Sequence, residues 1–456
     1  MTRVLVITGD AIGRRMAGPA IRAWNIALTL AVENEVILMT TTRLEPLDAT
    51  FALRRVRRGS SADFAELVAW ADVIVFQGHA MAQFKALRTT KKIVVADIYD
   101  PMHLEMLEQG RELGRATWDL RVATTTGIIS DQLALADFFL CASERQRLFY
   151  LGQLTTLGRV NPATYEDDPH LLKLIAVSPF GLNETPPVHE TDVVKGVRPG
   201  ISVTDKLLIW GGGLYNWFDP LTLITAVARL SQRRPDLRLL FLGTRHPGVD
   251  EMGIVRESFD LARELGAFDT SVFFNESWVE YAERQNWLLE ADAGVSTHMS
   301  HVETTFAFRT RILDYLWAGL PMVVTEGDSF AELVAKESLG VVVPARDVAA
   351  LEAAIDRVLY DPEFAATARS NVQRVREEFL WARALAPLVE FVRSPYHAAD
   401  QVGRRADRSG GGKRLKRYGL AHDSRMFWHY YRAEGLVKAM KRVKARWKEP
   451  EYDMKL

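Results

Sequence analysis

The chain has 456 residues, 48% hydrophobic and 25% charged, with 57 Lys or Arg against 58 Asp or Glu and a net charge of −1. That length predicts two globular domains plus an appendage, and the composition argues against a disordered or fibrous protein. The single cysteine, Cys141, excludes an intrachain disulfide framework and any multi-cysteine metal site; within DFFLCAS it reads as a buried, inert thiol.

The first residues, MTRVLVITGD, read as a short apolar strand. Their apolar core is too short for a secretory signal, and no small-residue cleavage site follows. No run reaches about 18 apolar residues, so no membrane-spanning helix is expected and the expected compartment is the cytoplasm. After RVLVIT come the loop GDAIGRRMAG, a helix from Pro19 to about Val32 and the strand EVILMT. Further strands follow at VIVFQ, KIVVAD, DFFLCAS and LIAVSPF. Short apolar strands alternating with amphipathic helices such as SADFAELVAWA predict an α/β, doubly wound, mostly parallel sheet. Three strand ends carry polar residues: Gly9 to Gly18 with Arg14, Arg15 and Arg22; Gln77-Gly78-His79; and Asp97-Ile98-Tyr99-Asp100. A lone His after a strand is more often structural than functional, and Arg14 and Arg15 read as a solvated basic loop.

The segment 183–200, NETPPVHETDVVKGVRPG, has no periodicity and is rich in Pro, Gly and charge, as an interdomain linker would be. A second alternation follows it: KLLIWGGG, a helix from Asp219 to Arg233, RLLFLG, a helix around 250–265, SVFFN, a helix around 279–290 and AGVSTH. Gly211-Gly212-Gly213 ends a strand, and Asp219-Pro220 opens a helix with a capping acid and Pro in the first turn. Glycines there let a diphosphate approach the backbone and the helix start favours anions, although a tight turn without ligand would look the same.

The stretch His301 to Pro344 reads as loop, helix from about Arg309 to Ala318, apolar strand, helix, strand, with Gly319 as the helix stop. Glu303, Arg309, Arg311 and Asp314 crowd the loop and first helical turns; Arg311 and Asp314, three apart, should share a face. Carboxylates suit sugar hydroxyls and guanidinium groups suit phosphate, while a salt-bridged helix start is the plainer reading.

The order Leu313-Asp314-Tyr315-Leu316-Trp317-Ala318-Gly319-Leu320-Pro321, with Ser329-Phe330-Ala331-Glu332-Leu333 and Gly340 to Pro344 after it, resembles the carboxyl half of glycosyltransferase family 4, the group 1 glycosyltransferases. The resemblance covers roughly residues 1–395 and implies a retaining enzyme of GT-B fold, two Rossmann-like domains facing across a cleft. The implied division is an acceptor-side domain at 1–182, the linker 183–200, a nucleotide-sugar domain at 201–380, a crossover helix at 381–395 and a basic amphipathic tail at 396–456. Asp314 takes the position of the acid that holds the donor ribose, and Gly18 that of the cleft glycine. Phe306 stands where the family has its first Glu, so Glu303 is expected to supply the sugar-contact carboxylate. Asp100 lies where relatives place a catalytic-site residue. Gly212 and Gly213 would line the diphosphate. The loop Leu214-Tyr215-Asn216-Trp217-Phe218 lacks the usual cations, leaving Arg245, Arg309 or Arg311 to take the phosphate charge. Tyr215 and Trp217 would stack on sugar or acceptor, or pack the interdomain face.

The expected partners are a nucleotide-sugar donor and a saccharide or lipid-linked acceptor, with no cofactor, no obligatory metal and no nucleic acid. The competing readings are a sugar-nucleotide epimerase of the same fold and a non-catalytic sugar-nucleotide-binding scaffold. Charge bears on the acceptor. Residues 404–448 hold fifteen Lys or Arg and three acids, net +12, which leaves −13 for the rest of a chain totalling −1. Beyond Ser409-Gly410-Gly411-Gly412, Leu436, Met440, Val443 and Trp447 recur at helical spacing opposite Lys438, Lys441, Arg442 and Lys444. Residues 413–448 therefore suit the inner face of an anionic membrane, or a helix docked on the acidic body of the same protein.

Overall fold

Strands RVLVIT and VIVFQ are buried on both faces, which is the environment of a central parallel strand covered by helices on each side. The computed structural model describes residues 1–57, 60–244, 252–277, 279–280, 282–401 and 440. The first sheet contains β1 (Arg3–Thr8), β2 (Glu35–Thr40), β3 (Ala52–Arg55), β4 (Val73–Gln77), β5 (Ile93–Asp97), β6 (Phe138–Cys141) and β7 (Ile175–Val177). Its order is β3-β2-β1-β4-β5-β6-β7 and every pairing is parallel. Val4, Val6, Val75 and Leu140 point into one apolar layer, and Leu5, Ile7, Ile74 and Phe76 into the opposite one. The helices that bear on the site are α1 (Gly18–Leu30), α2 (Met102–Gln109) and α3 (Glu144–Thr156).

The second sheet repeats the plan with β8 (Lys206–Trp210), β9 (Leu237–Phe241), β10 (Val272–Phe274), β11 (Ala293–Ser296), β12 (Met322–Thr325) and β13 (Gly340–Val343), in the order β10-β9-β8-β11-β12-β13. Strand order reverses between β8 and β11, so the crevice of this domain opens at their carboxyl ends. Its helices include α4 (Pro220–Leu230), α5 (Arg284–Leu289), α6 (Val302–Phe306), α7 (Thr310–Ala318) and α8 (Ser329–Glu337). Asp219 caps α4 by accepting from the Thr222 amide at 3.1 Å, and α7 stops at Gly319 with φ 70°. Residues 302–306, expected as loop, form the short helix α6, with His301 as its cap.

The chain crosses between domains twice. On the way out, the Glu290 carboxylate accepts the amides of Val193, Val194 and Lys195 at 2.6, 2.9 and 2.6 Å, which binds residues 190–195 to the second domain. On the return, Leu182 donates its amide to Phe379 O at 2.7 Å and accepts from the Trp381 amide at 3.0 Å. The helix α9 (Ala386–Arg393) then lies on the first domain, with Phe391 stacked on Phe138 at 4.5 Å.

Residues 396–401 continue that packing: His397 meets Asp137 at 3.2 Å, and Asp400 forms a buried pair with Arg159 at 2.6 Å. The expected tail therefore cannot begin at 396, because a buried charge pair ties this segment to the body. The basic stretch 413–448 lies outside the described residues apart from Met440. Among the described residues no helix is long and apolar enough to cross a membrane.

Candidate active site

The loops after β8 and β11 are clipped together. Asp219 donates its amide to Thr297 O at 3.0 Å, Thr297 returns a hydroxyl bond to Asp219 O at 2.6 Å, and Phe218 bridges His298. Tyr315 of α7 lies beneath the crevice. Its hydroxyl accepts the Gly211 amide at 2.8 Å and sits 2.7 Å from Val295 O, joining the two strands from below. A Cβ on Gly294 would fall 2.5 Å from the Tyr315 ring, so that position must stay bare. Gly212, at φ 120°, has open space where a side chain would be, as a loop must where a ligand meets the backbone.

Arg311 enters this loop from α7. Its guanidinium lies between the rings of Trp210 and Phe218, 4.3 and 4.0 Å from their centroids, and donates to Gly213 O at 3.0 Å. It is 7% exposed, its Nη1 has no partner among the described residues, and burial lowers its pKa to about 10. Cation–π contact with two rings offsets part of the desolvation of that charge. Arg309 behaves differently. Both of its terminal nitrogens bind the Glu303 carboxylate, at 2.9 and 2.7 Å, and Asp328 lies 3.9 Å from its Nε. Arg309, expected to share in holding phosphate, thus has its charge balanced within its own domain, while its Nε has no hydrogen-bond partner among the described residues.

Arg311 and Asp314 do not act as the pair their spacing suggested. Arg311 reaches forward to the glycine loop, while Asp314 turns sideways and accepts from Arg284 Nε of α5 at 3.1 Å. Tyr215 and Trp217 stack on each other at 4.8 Å with nearly parallel rings, and burial raises the Tyr215 pKa to about 12. They pack as a wall behind the loop. Arg245 lies outside the described residues.

Across the cleft, Gly18 is the first residue of α1, which has no side-chain cap at its start, and the position next to its backbone is open. Arg22, one turn further, is fully buried and structural. It pairs with Asp97 at 2.7 and 2.8 Å and bonds the carbonyls of Ser178 and Pro179, and Gln77 also donates to Asp97. Asp100 stands at the next step of the chain, with Glu105 of α2 nearby. Burial and the Glu303 charge raise the Asp100 pKa to about 6; burial, with Asp100 and Glu303 nearby, pushes Glu105 up as well. Carboxyl groups this close in a buried site favour a proton on at least one of them, because burial and like charge both disfavour full ionisation. His79 begins a short helix after β4.

The structure thus brings Asp100 and Glu303 to opposite sides of one cleft, with His301 between Glu303 at 3.6 Å and Glu108 of α2 at 4.0 Å. Contacts that the sequence did not signal hold the cleft closed. Gln146 of α3 donates to Phe306 O at 2.8 Å, Phe149 stacks on Phe306 at 4.5 Å, and Arg145 binds Gly327 O and pairs with Glu332. At the other rim Arg15 meets Glu280 at 3.3 Å and Glu112 accepts the Gly253 amide at 3.1 Å. The aromatic at position 306 serves this interdomain stack. Only the common Ser cap at Ser143 hints at α3, and nothing local marks its partners.

Residues 205–361 match the family model of the group 1 glycosyl transferases. No curated protein matches the sequence. Among solved structures, sucrose-phosphate synthase from Thermosynechococcus elongatus aligns at TM-score 0.62 and 16% identity, over 90% of this chain and 99% of that one. HepE of Anabaena in complex with UDP and glucose aligns at 0.61 and 16%, over 86% and 100%. WaaG, a glycosyltransferase involved in lipopolysaccharide biosynthesis, aligns at 0.56 and 16%, over 86% and 100%. With the paired sheets and shared cleft described above, residues 205–361 match a group 1 glycosyltransferase domain, and the chain as a whole has the GT-B fold of these structures.

Proposed function

We propose that the enzyme transfers a sugar, with retention, from a nucleotide-activated donor to a hydroxyl acceptor in cell-surface polysaccharide or glycolipid assembly. The observation that carries this reading is Arg311, a buried cation with an unpartnered Nη1, set against the Gly211–Gly213 loop at the switch point of the second sheet. A diphosphate laid on that loop gains the guanidinium and the loop amides, so this reading needs no divalent metal to balance it. The HepE structure holding UDP and glucose supports such a donor, and the role of WaaG supports the cell-surface setting.

In this reading Asp314 holds the ribose, and Glu303, fixed by Arg309, faces the sugar. Asp100, facing Glu303, positions the acceptor hydroxyl or stabilises the oxocarbenium-like charge that develops at the anomeric carbon. The closed rims exclude water, which would otherwise hydrolyse the donor. Incubation with a panel of nucleotide sugars, with and without EDTA, tests the reading. Release of nucleoside diphosphate that rises with added acceptor and survives EDTA supports it. Isomerised donor would indicate an epimerase, and binding without turnover a scaffold. A lipid-linked acceptor rests on the basic tail. Full-length protein should co-sediment with anionic vesicles at low salt, and a form ending at Arg408 should not.

A further inference from the structure

We infer that Arg284 is the positioning residue for ribose recognition, holding the Asp314 carboxylate in the orientation that receives a ribose hydroxyl; this rests on the reading of Asp314 given above. Asp314 is an aspartate at the position where the family resemblance implies a nucleotide-binding acid on α7. Its carboxylate is two-thirds buried, and Arg284 Nε donates to Oδ1 at 3.1 Å. Oδ2 takes no hydrogen bond from a described residue. A short acid with one oxygen engaged presents the other in a fixed direction, which is what recognition of a single hydroxyl needs.

Arg284 is itself fixed. Its guanidinium lies 4.3 Å over the Trp317 ring, and the Trp317 indole donates to Thr185 O at 3.0 Å, so the stack is anchored to the interdomain linker. The guanidinium is planar and always charged, and at a stacked site Lys is a poor substitute. Arg284 also opens α5, directly after the segment that carries Glu280, the partner of first-domain Arg15. The Arg284–Asp314 pair is therefore joined through α5 to the segment that meets the first domain. The pair is largely buried, at 13% and 33% exposure, so desolvation offsets much of its attraction and the orientation it imposes on Asp314 is the consequence that matters for a ligand.

The test compares nucleotides that differ only in the hydroxyl. UDP, CDP, GDP, ADP and dTDP are titrated against wild-type protein by calorimetry, and the tightest ribonucleotide is then compared with its 2′-deoxy and 3′-deoxy forms. Wild type should lose about tenfold in affinity for one of the deoxy forms, the worth of one hydrogen bond to a charged group. Arg284→Gln should lose about tenfold for the ribonucleotide and little for that deoxy form, so the discrimination collapses. Arg284→Lys should recover only part of it, and melting temperatures should stay near wild type. Unchanged discrimination in Arg284→Gln, even with uniformly weaker binding, would show that Arg284 only supports the fold. Failure of wild type to bind any of these nucleotides would overturn the donor reading itself, a result distinct from bound nucleotide with intact discrimination.

Discussion

Glu303 and Arg309 form a two-pronged ion pair inside the second domain, with both side chains 5% exposed and contacts of 2.9 and 2.7 Å. The pair turns a flexible acid into a fixed one, and it determines what substitution should do. Glu303→Gln removes the two-pronged counter-ion of Arg309 and leaves only Asp328, 3.9 Å from its Nε; breaking a buried pair typically costs about 3–5 kcal/mol, which the remaining acid should reduce. A fall in melting temperature should accompany a fall in turnover, with nucleoside diphosphate affinity nearly unchanged because the free nucleotide lacks the sugar. Parallel loss of nucleotide affinity would remove Glu303 from the sugar subsite.

Arg311→Met keeps the stem between Trp210 and Phe218 and removes the charge. Affinity for UDP and for inorganic pyrophosphate should both drop by about ten- to a hundredfold, the range of a charge-assisted hydrogen bond. Affinity for uridine should change little. If pyrophosphate and uridine weaken alike, Arg311 braces Gly213 and does not meet phosphate.

Asp100 titrates near pH 6 instead of near 3.8, chiefly through burial and then through the Glu303 charge, with the Arg309 charge opposing. Between about pH 4 and 6 the native protein therefore holds a proton that the unfolded chain has released. Stability contributed by this group is present at the acid end of that window and is lost as pH rises through 6. Asp100→Asn removes that titration, so its melting temperature should change less than wild type between pH 4.5 and 7. Superimposable pH slopes for the two proteins would show that the proton resides elsewhere.

Arg22 and Asp97 are both fully buried and share two hydrogen bonds, with further bonds from Arg22 to Ser178 O and Pro179 O. Arg22→Met should destabilise the first domain by about 3–5 kcal/mol by stranding Asp97, and Asp97→Asn in the same chain should recover part of it. Chemical denaturation followed by tryptophan emission would measure this. Independent, additive losses would show that the two side chains are not coupled.

Local grammar explains what was legible in the sequence. Gly319 stops α7 in the left-handed region, Asp219-Pro220 starts α4, and runs such as VIVFQ carry enough apolar residues to read as buried strands. Those signals act over a few residues, so the two sheets could be read from them. The pairing of Arg311 with Trp210 and Gly213, about a hundred positions away, leaves no local trace. The same holds for Gln146 with Phe306 and Arg159 with Asp400. Arg311 and Asp314 show the limit of spacing arguments. Neighbours on a helix surface need not face the same partner when each has a stronger one off the helix. Glu303 stands out only through the family resemblance, as the acid on the loop where Phe306 replaces the expected Glu, and its bond to Arg309 six residues on arises across a helical turn too short to show a period.

Both passages of the chain between the domains meet at Leu182, whose amide and carbonyl are stitched to Phe379 and Trp381 on the returning strand. Two tethers joined at one point act as a single pin. The halves of the molecule can then pivot, while sliding or twisting independently would break backbone bonds. Opening the cleft would have to release the rim contacts, the Arg145–Glu332 pair among them. A distance between a label on α3 and one on α8 would report whether that rim is open or closed.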